Sequence, residues 1–122
     1  MAKVLAVDDE PETLTFLVRF LRELGHEVVT AASGAEALEK AEANPPHVVL
    51  LDVKMPGLDG LEVLRRLRGR GVPVILVTAM AEEALRRRDR CALEGTPYLA
   101  KPVDLGSLEM ALGGAIAPRP PS

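Results

Sequence analysis

Short runs of apolar residues alternate along the chain with longer stretches in which apolar residues recur every three or four positions. A short apolar run predicts a strand buried in a sheet, and the longer period predicts an amphipathic helix. The pattern predicts five strands, over Val4–Val7, Glu27–Ala31, His47–Leu51, Pro73–Val77 and Pro97–Ala100. Each predicted strand is followed by a helical stretch.

The helical stretches carry their own start and stop signals. Ser33 and Glu36 form a capping-box pattern, and Asp104 is an N-cap candidate. The predicted helices are one ending at Gly25, one beginning near Gly34, one containing Leu61, Leu64 and Leu67, one over Ala81–Leu93 and one over Leu105–Ile116. Strands that are apolar on both faces and alternate with helices indicate an α/β fold, an open parallel sheet covered by helices on both sides.

Polar residues stand at the ends of four of the five predicted strands. Asp8 and Asp9 follow the first strand, Asp52 the third, Thr78 the fourth and Lys101 the fifth. Because folds of this class bind ligands at the carboxyl ends of their strands, we expect these side chains to meet at one edge of the sheet. This edge is the predicted functional site.

The residue types at this edge are suited to phosphoryl transfer. Three converging carboxylates repel one another, so at least one pKa should rise unless a cation is present, and Mg²⁺ with its oxygen ligands would relieve the repulsion. Lys101 and Thr78 offer an ammonium and a hydroxyl to phosphoryl oxygens. Asp52 is the best candidate nucleophile, because a loop follows it and should leave its carboxylate accessible. Asp8 and Asp9 are better placed to hold the metal.

Four sequence motifs resemble the receiver domain of two-component response regulators, in particular stand-alone chemotaxis-type and sporulation-phosphorelay regulators. They are VLAVDDEP at Val4–Pro11, VVLLDVKMPGLDG at Val48–Gly60, PVILVTA at Pro73–Ala79 and YLAKP at Tyr98–Pro102. Together they extend the resemblance over residues 3–116.

The resemblance implies a (βα)5 flavodoxin-like, doubly wound sheet with five parallel strands in the order 2-1-3-4-5. It implies that Asp52 is the phosphorylation site. Asp9, Asp52 and the backbone carbonyl of Lys54 would hold Mg²⁺, and Asp8 would contribute directly or through water. The protein would then be a phosphoacceptor switch that catalyses only its own phosphorylation and dephosphorylation.

The resemblance also assigns three further residues. Lys101 would contact the phosphoryl group, and its peptide bond to Pro102 would be cis. Thr78 and Tyr98 would form a switch pair, in which the hydroxyl moves to a phosphoryl oxygen and the ring turns inward. The expected result is a change in a protein-interaction surface.

The same resemblance implies the partners and the domain organisation. A histidine kinase or phosphotransfer protein would supply the phosphoryl group. A downstream target would bind the face formed by the predicted fourth helix, fifth strand and fifth helix. The protein would be a monomer or a phosphorylation-promoted dimer.

Residues 1–116 would form the receiver domain, followed by a proline-rich tail or truncated linker at 117–122. A fragment of a larger transcriptional regulator and a phosphorelay intermediate remain alternatives.

Composition narrows the function classes. The net charge of −3 argues against binding nucleic acid or anionic membranes through bulk charge. The single cysteine allows no internal disulfide, and we see neither a targeting segment nor an apolar run long enough to span a membrane. These features favour a cytoplasmic protein with no direct nucleic-acid contact and no membrane insertion.

Other interpretations of the acidic residues are weaker. Asp8 and Asp9 could simply cap the first helix, but that leaves the placement of Asp52 and Lys101 unexplained. A flavin-nucleotide binder would need phosphate-binding N–H groups after the first strand, where this chain has an acidic turn that ends in proline. A haloacid-dehalogenase-type phosphatase would place its nucleophile after the first strand, and the isolated reactive aspartate here follows the third. A degenerate, interaction-only receiver is disfavoured because every expected site position is filled.

Overall fold

The computed structural model describes residues 2–53, 60–79 and 96–116. The described residues form nine elements: β1 Lys3–Val7, α1 Pro11–Glu23, β2 Glu27–Ala31, α2 Gly34–Ala43, β3 Val48–Leu51, α3 Gly60–Gly69, β4 Val74–Thr78, β5 Tyr98–Ala100 and α4 Leu105–Ile116. The predicted helix over Ala81–Leu93 and the proline-rich segment 117–122 lie outside the described residues. None of the four described helices is long and apolar enough to cross a lipid bilayer.

The five strands form one parallel sheet in the order β2-β1-β3-β4-β5, which confirms the predicted fold class and strand order. β1 and β3 are neighbours, and the last residue of β1, Val7, pairs with the last residue of β3, Leu51. The next residue on each strand is therefore also adjacent: the N–H of Asp52 donates to the carbonyl of Val7, 3.0 Å away. This register brings Asp8 and Asp52 together.

Side chains alternate across the sheet and build a separate apolar core on each face. One core joins the sheet to α2 and α3, and its buried strand residues are Leu5, Val7, Ala31, Val49, Leu51, Val74 and Leu76. The other joins the sheet to α1 and α4, and its strand residues are Val4, Ala6, Val48, Leu50, Ile75 and Val77. Helices therefore cover both faces, as the apolar strands predict.

Two helix boundaries follow from the signals in the sequence. α1 ends in a Schellman motif, in which Gly25 has φ +88° and the N–H of His26 donates to the carbonyl of Leu21. At the start of α2, the Ser33 hydroxyl accepts a hydrogen bond from the N–H of Glu36, as the capping-box pattern predicts. The Glu36 carboxylate accepts from Ala32 rather than from Ser33 itself. These caps fix where the chain turns back towards the sheet.

Five strand boundaries differ from the prediction by one residue. β1 begins at Lys3 rather than Val4. β3 begins at Val48 rather than His47, and β5 begins at Tyr98 rather than Pro97. β4 runs from Val74 to Thr78, one residue later than predicted at both ends. Proline has no N–H to contribute to a sheet, so Pro73 and Pro97 only accept hydrogen bonds at the strand entrances. Thr78 stays in the strand because its carbonyl accepts from the N–H of Lys101.

Gly60 packs directly against the backbone beside the predicted functional site. A Cβ atom at Gly60 would collide with Val53 Cα and lie 2.6 Å from the Val53 carbonyl oxygen. Val53 is buried and follows Asp52 in the chain. A side chain at position 60 would therefore displace the segment that carries Asp52.

We expect Gly60→Ala to destabilise the protein by about 1–3 kcal/mol, the usual cost of overpacking a buried contact. Gly69→Ala is the matched control, because a Cβ there has nothing within 4 Å and Gly69 also lies in α3. Its effect should be neutral or stabilising by up to about 1 kcal/mol. Denaturant unfolding measures both changes. A Gly60→Ala protein as stable as the wild type would contradict the close packing.

Candidate functional site

Three of the predicted site residues meet at the carboxyl ends of their strands. The Nζ of Lys101 lies 2.6 Å from Asp8 Oδ2 and 3.0 Å from Asp52 Oδ2. The side chains of Asp8 and Asp52 are only 3% and 5% exposed, and that of Lys101 is 13% exposed. The ammonium group therefore joins two buried carboxylates from different strands.

Asp8 is held in place by backbone contacts on both sides. Its N–H donates to the carbonyl of Ala31, at the end of β2. Its Oδ1 accepts a hydrogen bond of 2.9 Å from the N–H of Glu10, which leaves Oδ2 for Lys101. Glu10 is the N-cap residue of α1 and makes no side-chain cap hydrogen bond. Asp8 thus shapes the turn before α1 and contributes to the ion-pair cluster, and neither contact is a hydrogen bond from an N–H of the first helical turn, which a cap would accept.

Lys101 reaches the other strands from the edge of the sheet. It follows β5, and its N–H donates to the carbonyl of Thr78 at 3.0 Å. The Lys101–Pro102 peptide bond is cis. β3 and β4 separate β1 from β5, so the lysine side chain spans the end of the sheet to contact Asp8. The backbone of β4 therefore anchors the residue that carries the positive charge.

Thr78 and Tyr98 lie on the same face of neighbouring strands. Tyr98 pairs in register with Leu76 and Thr78 pairs with Ala100, so the two residues are diagonal neighbours. Thr78 is fully buried, and Tyr98 is half-buried against the core that contains α2 and α3. The structure brings this pair together at the end of the sheet, on the same side as α3.

The carboxylates at this edge form a group of four. Asp8, Asp9, Glu10 and Asp52 each offer an oxygen atom, and these four oxygens lie within 4.8 Å of one another. Asp9 and Glu10 are exposed, whereas the other two are buried. Lys54, whose carbonyl we expect to be a metal ligand, lies outside the described residues.

Glu10 is a site residue that the sequence interpretation did not assign. Its Oε1 lies 3.1 Å from Lys101 Nζ, so it is the third carboxylate to contact the ammonium group. The available signal was its position directly after two aspartates at a strand end. Strand periodicity alone does not reveal that its side chain turns back towards the sheet edge.

The burial of Asp52 differs from the expectation of an accessible carboxylate. Its side chain is 5% exposed, and its Oδ2 lies 3.0 Å from Nζ of Lys101. A loop after a strand predicts exposure only when no distant residue packs on the strand end, and Lys101 contacts this strand end from 49 positions away in the chain.

The electrostatics of the cluster follow mainly from burial and hydrogen bonding. Burial raises the pKa of Asp8, the hydrogen bonds from Lys101 and Glu10 oppose this, and the charge of Asp52 raises the pKa further. The pKa of one carboxyl group is therefore raised, as expected from the sequence. Burial, rather than repulsion between carboxylates, is the main cause. Burial alone would lower the pKa of Lys101, but its hydrogen bonds to Asp8, Asp52 and Glu10 outweigh this and raise it. Lys101 remains an ammonium ion at neutral pH.

The cluster has the chemistry that a hard divalent cation requires. Its ligand atoms are carboxylate oxygens, which Mg²⁺ prefers, and three of the four carboxylates contact the ammonium group of Lys101. The exposure of Asp9 and Glu10 leaves the cluster open to solvent on one side. These residues could therefore bind Mg²⁺ together with its retained waters.

Comparisons with known proteins agree with this geometry. Residues 4–113 match the family model described as the response regulator receiver domain. Protein PilH of Pseudomonas aeruginosa is 34% identical, over 96% of this chain and 99% of its own length. The transcriptional regulatory protein TcrA of Mycobacterium tuberculosis is 39% identical, over 98% of this chain and 49% of its own length.

A solved structure shows the same fold. The response regulator protein TrrA from Thermotoga maritima, in complex with Mg²⁺ and BeF, has a TM-score of 0.83 and 33% identity, with 94% of this chain and 99% of that chain covered. The chain spans about half or less of the length of the transcriptional regulators that it matches.

We expect Mg²⁺ to raise the melting temperature, because it neutralises the crowded carboxylates of the folded state only. At ten times its Kd it should stabilise the protein by about 1.4 kcal/mol, which corresponds to roughly 5 °C in a domain of this size. Asp9→Asn should weaken this response. Glu12→Gln, which removes the same charge outside the cluster, should leave it unchanged. Thermal unfolding with and without Mg²⁺ measures the effect, and a full response from Asp9→Asn would contradict the assignment.

Proposed function

Because the chain belongs to the response regulator receiver domain family, we propose that it is a phosphoacceptor switch in two-component signalling. Asp52 takes a phosphoryl group from the phosphohistidine of a histidine kinase or phosphotransfer protein and later loses it to water. The protein catalyses only these two steps on itself. We place it in the cytoplasm, without direct contact to nucleic acid.

The observation that carries this proposal is the contact of Lys101 with Asp52. Nζ lies 3.0 Å from Asp52 Oδ2, so any group that forms on this carboxylate is within reach of the ammonium. Phosphoryl transfer depends mainly on positioning and on neutralising the charge of the phosphoryl oxygens. A lysine held beside an aspartate at a strand end supplies both requirements.

The transfer can be written at the level of bonds. An oxygen of Asp52 forms a bond to phosphorus while the bond between phosphorus and the donor's histidine nitrogen breaks, and the electron pair returns to the imidazole ring. The product is an acyl phosphate on Asp52. In dephosphorylation, water attacks phosphorus while the bond between phosphorus and the Asp52 oxygen breaks, so inorganic phosphate leaves and the electron pair regenerates the carboxylate. Lys101 donates a hydrogen bond to a phosphoryl oxygen in both steps.

The carboxylate cluster would hold the metal ion that this chemistry needs. Asp9, Asp52 and the backbone carbonyl of Lys54 are the proposed Mg²⁺ ligands, and Asp8 contributes directly or through water. Bound Mg²⁺ supplies neutralisation of the phosphoryl charge. The similar TrrA structure is a complex with Mg²⁺ and BeF, which supports a role for the metal in this chain as well. Lys101 and the metal would then act on the phosphoryl group together.

Signal output would follow from a shift between two existing conformations. We propose that the Thr78 hydroxyl moves to a phosphoryl oxygen and that Tyr98 turns inward. Their placement on one face of β4 and β5 supports this pairing. The target protein would bind the surface that contains β5 and α4, with the protein acting as a monomer or as a phosphorylation-promoted dimer.

We assign residues 1–116 to the phosphoacceptor domain and the proline-rich segment 117–122 to a tail or linker.

Incubation with acetyl phosphate and Mg²⁺ tests the proposal directly. The intact protein should gain the mass of one phosphoryl group, because Asp52 can attack a small acyl phosphate as it attacks phosphohistidine. Asp52→Asn should show no gain. Asp104→Asn, which alters the exposed carboxylate that caps α4, should behave like the wild type. The absence of a gain in the wild type, or an undiminished gain in Asp52→Asn, would refute the assignment.

A further inference from the structure

Lys101 has three carboxylate partners, one for each hydrogen-bond donor of its ammonium group. Nζ lies 2.6 Å from Asp8, 3.0 Å from Asp52 and 3.1 Å from Glu10. The Asp8 and Asp52 side chains are 3% and 5% exposed, whereas that of Glu10 is 62% exposed. All three donors are therefore engaged, and one partner differs sharply from the other two in its access to water.

The position of Glu10 is set by the turn that leads into α1. Its N–H donates to Asp8 Oδ1, and Pro11 starts the helix immediately after it. Its side chain makes no cap hydrogen bond and extends to Lys101 instead. The turn that orients Asp8 thus also places Glu10 at the outer side of the ammonium group.

When Asp52 is phosphorylated, the hydrogen bond that Lys101 donates to it can pass to a phosphoryl oxygen. Lys101 can donate a second one to the phosphoryl group only if Asp8 or Glu10 gives up its own. Releasing Asp8 would leave a buried carboxylate without its charged partner, which is costly. Releasing Glu10 costs little, because an exposed carboxylate regains its hydration and exposed ion pairs contribute little to stability. Glu10 is therefore the partner that is exchanged most easily.

We propose that Glu10 is a positioning residue, which draws the Lys101 ammonium group towards the outer side of the site before phosphorylation and so competes with the phosphoryl oxygen for its hydrogen bond. This rests on the proposed function, in which Asp52 accepts the phosphoryl group. It assigns Glu10 a role in the rate of the reaction rather than in metal binding or in forming the fold. Loss of the Glu10 carboxylate should remove one competitor for Lys101 and speed phosphorylation.

The first test compares Glu10→Gln with Glu12→Gln, which removes the same charge from the first turn of α1. Glu12 has no ion pair to Lys101, whose salt-bridge partners in the described part of the chain are Asp8, Glu10 and Asp52. At saturating Mg²⁺, Glu10→Gln should raise the second-order rate constant of phosphorylation by acetyl phosphate by about two- to fivefold, the rate equivalent of an exposed ion pair. Glu12→Gln should match the wild type. Equal rates in the two variants, or a slower Glu10→Gln protein, would overturn the proposal.

A second measurement does not depend on phosphorylation. NMR can follow the exchange of the Lys101 ammonium protons with water, and the chain has only three other lysines, at positions 3, 40 and 54. Glu10→Gln should speed this exchange, and Glu12→Gln should not. If wild-type protein accepts no phosphoryl group, the proposed function fails while this experiment still tests the contact. Unchanged exchange in Glu10→Gln would overturn the positioning role.

Discussion

The bridge between Lys101 and the two buried carboxylates is the interaction on which the site depends. Asp8 and Asp52 are almost completely removed from water, and a buried charge is tolerated only when it is paired and hydrogen-bonded. The ammonium group supplies that pairing from a residue 93 positions away from Asp8. No buried side-chain nitrogen or oxygen in the described part of the chain lacks a hydrogen-bond partner. The first, third and last strands are thus joined at one edge through a single positive charge.

The same lysine connects the carboxylates to the edge of the sheet. Its backbone N–H is held by the carbonyl of Thr78, and Thr78 shares a face of the sheet with Tyr98. A change in the hydrogen bonds of the ammonium group therefore acts on Lys101, whose backbone is hydrogen-bonded to the end of β4. β5 has only three residues and is incompletely buried, so this edge is held less firmly than the central strands. The ion-pair cluster around Lys101 therefore lies next to β5, the more weakly held edge strand.

Most of the fold and much of the site follow from local patterns in the sequence. Apolar runs and helical spacing predicted the parallel sheet, and the polar residues that follow the strands predicted the clustering of Asp8, Asp52 and Lys101. Features that depend on distant residues were not accessible in this way. Asp52 is buried and contacts Lys101, Glu10 joins the cluster because its side chain reaches the same lysine, and Gly60 packs against the backbone of Val53. Short-range periodicity contains no information about such contacts.

The central claim is that this edge of the sheet directs a phosphoryl group to Asp52 and not to the neighbouring aspartates. Borohydride reduces an acyl phosphate on aspartate to homoserine, and trypsin separates the candidates, since Asp52 lies in peptide 41–54 and both Asp8 and Asp9 lie in peptide 4–19. After treatment with acetyl phosphate and Mg²⁺, the account predicts homoserine at position 52 in peptide 41–54. Homoserine in peptide 4–19, with peptide 41–54 unmodified, would contradict it.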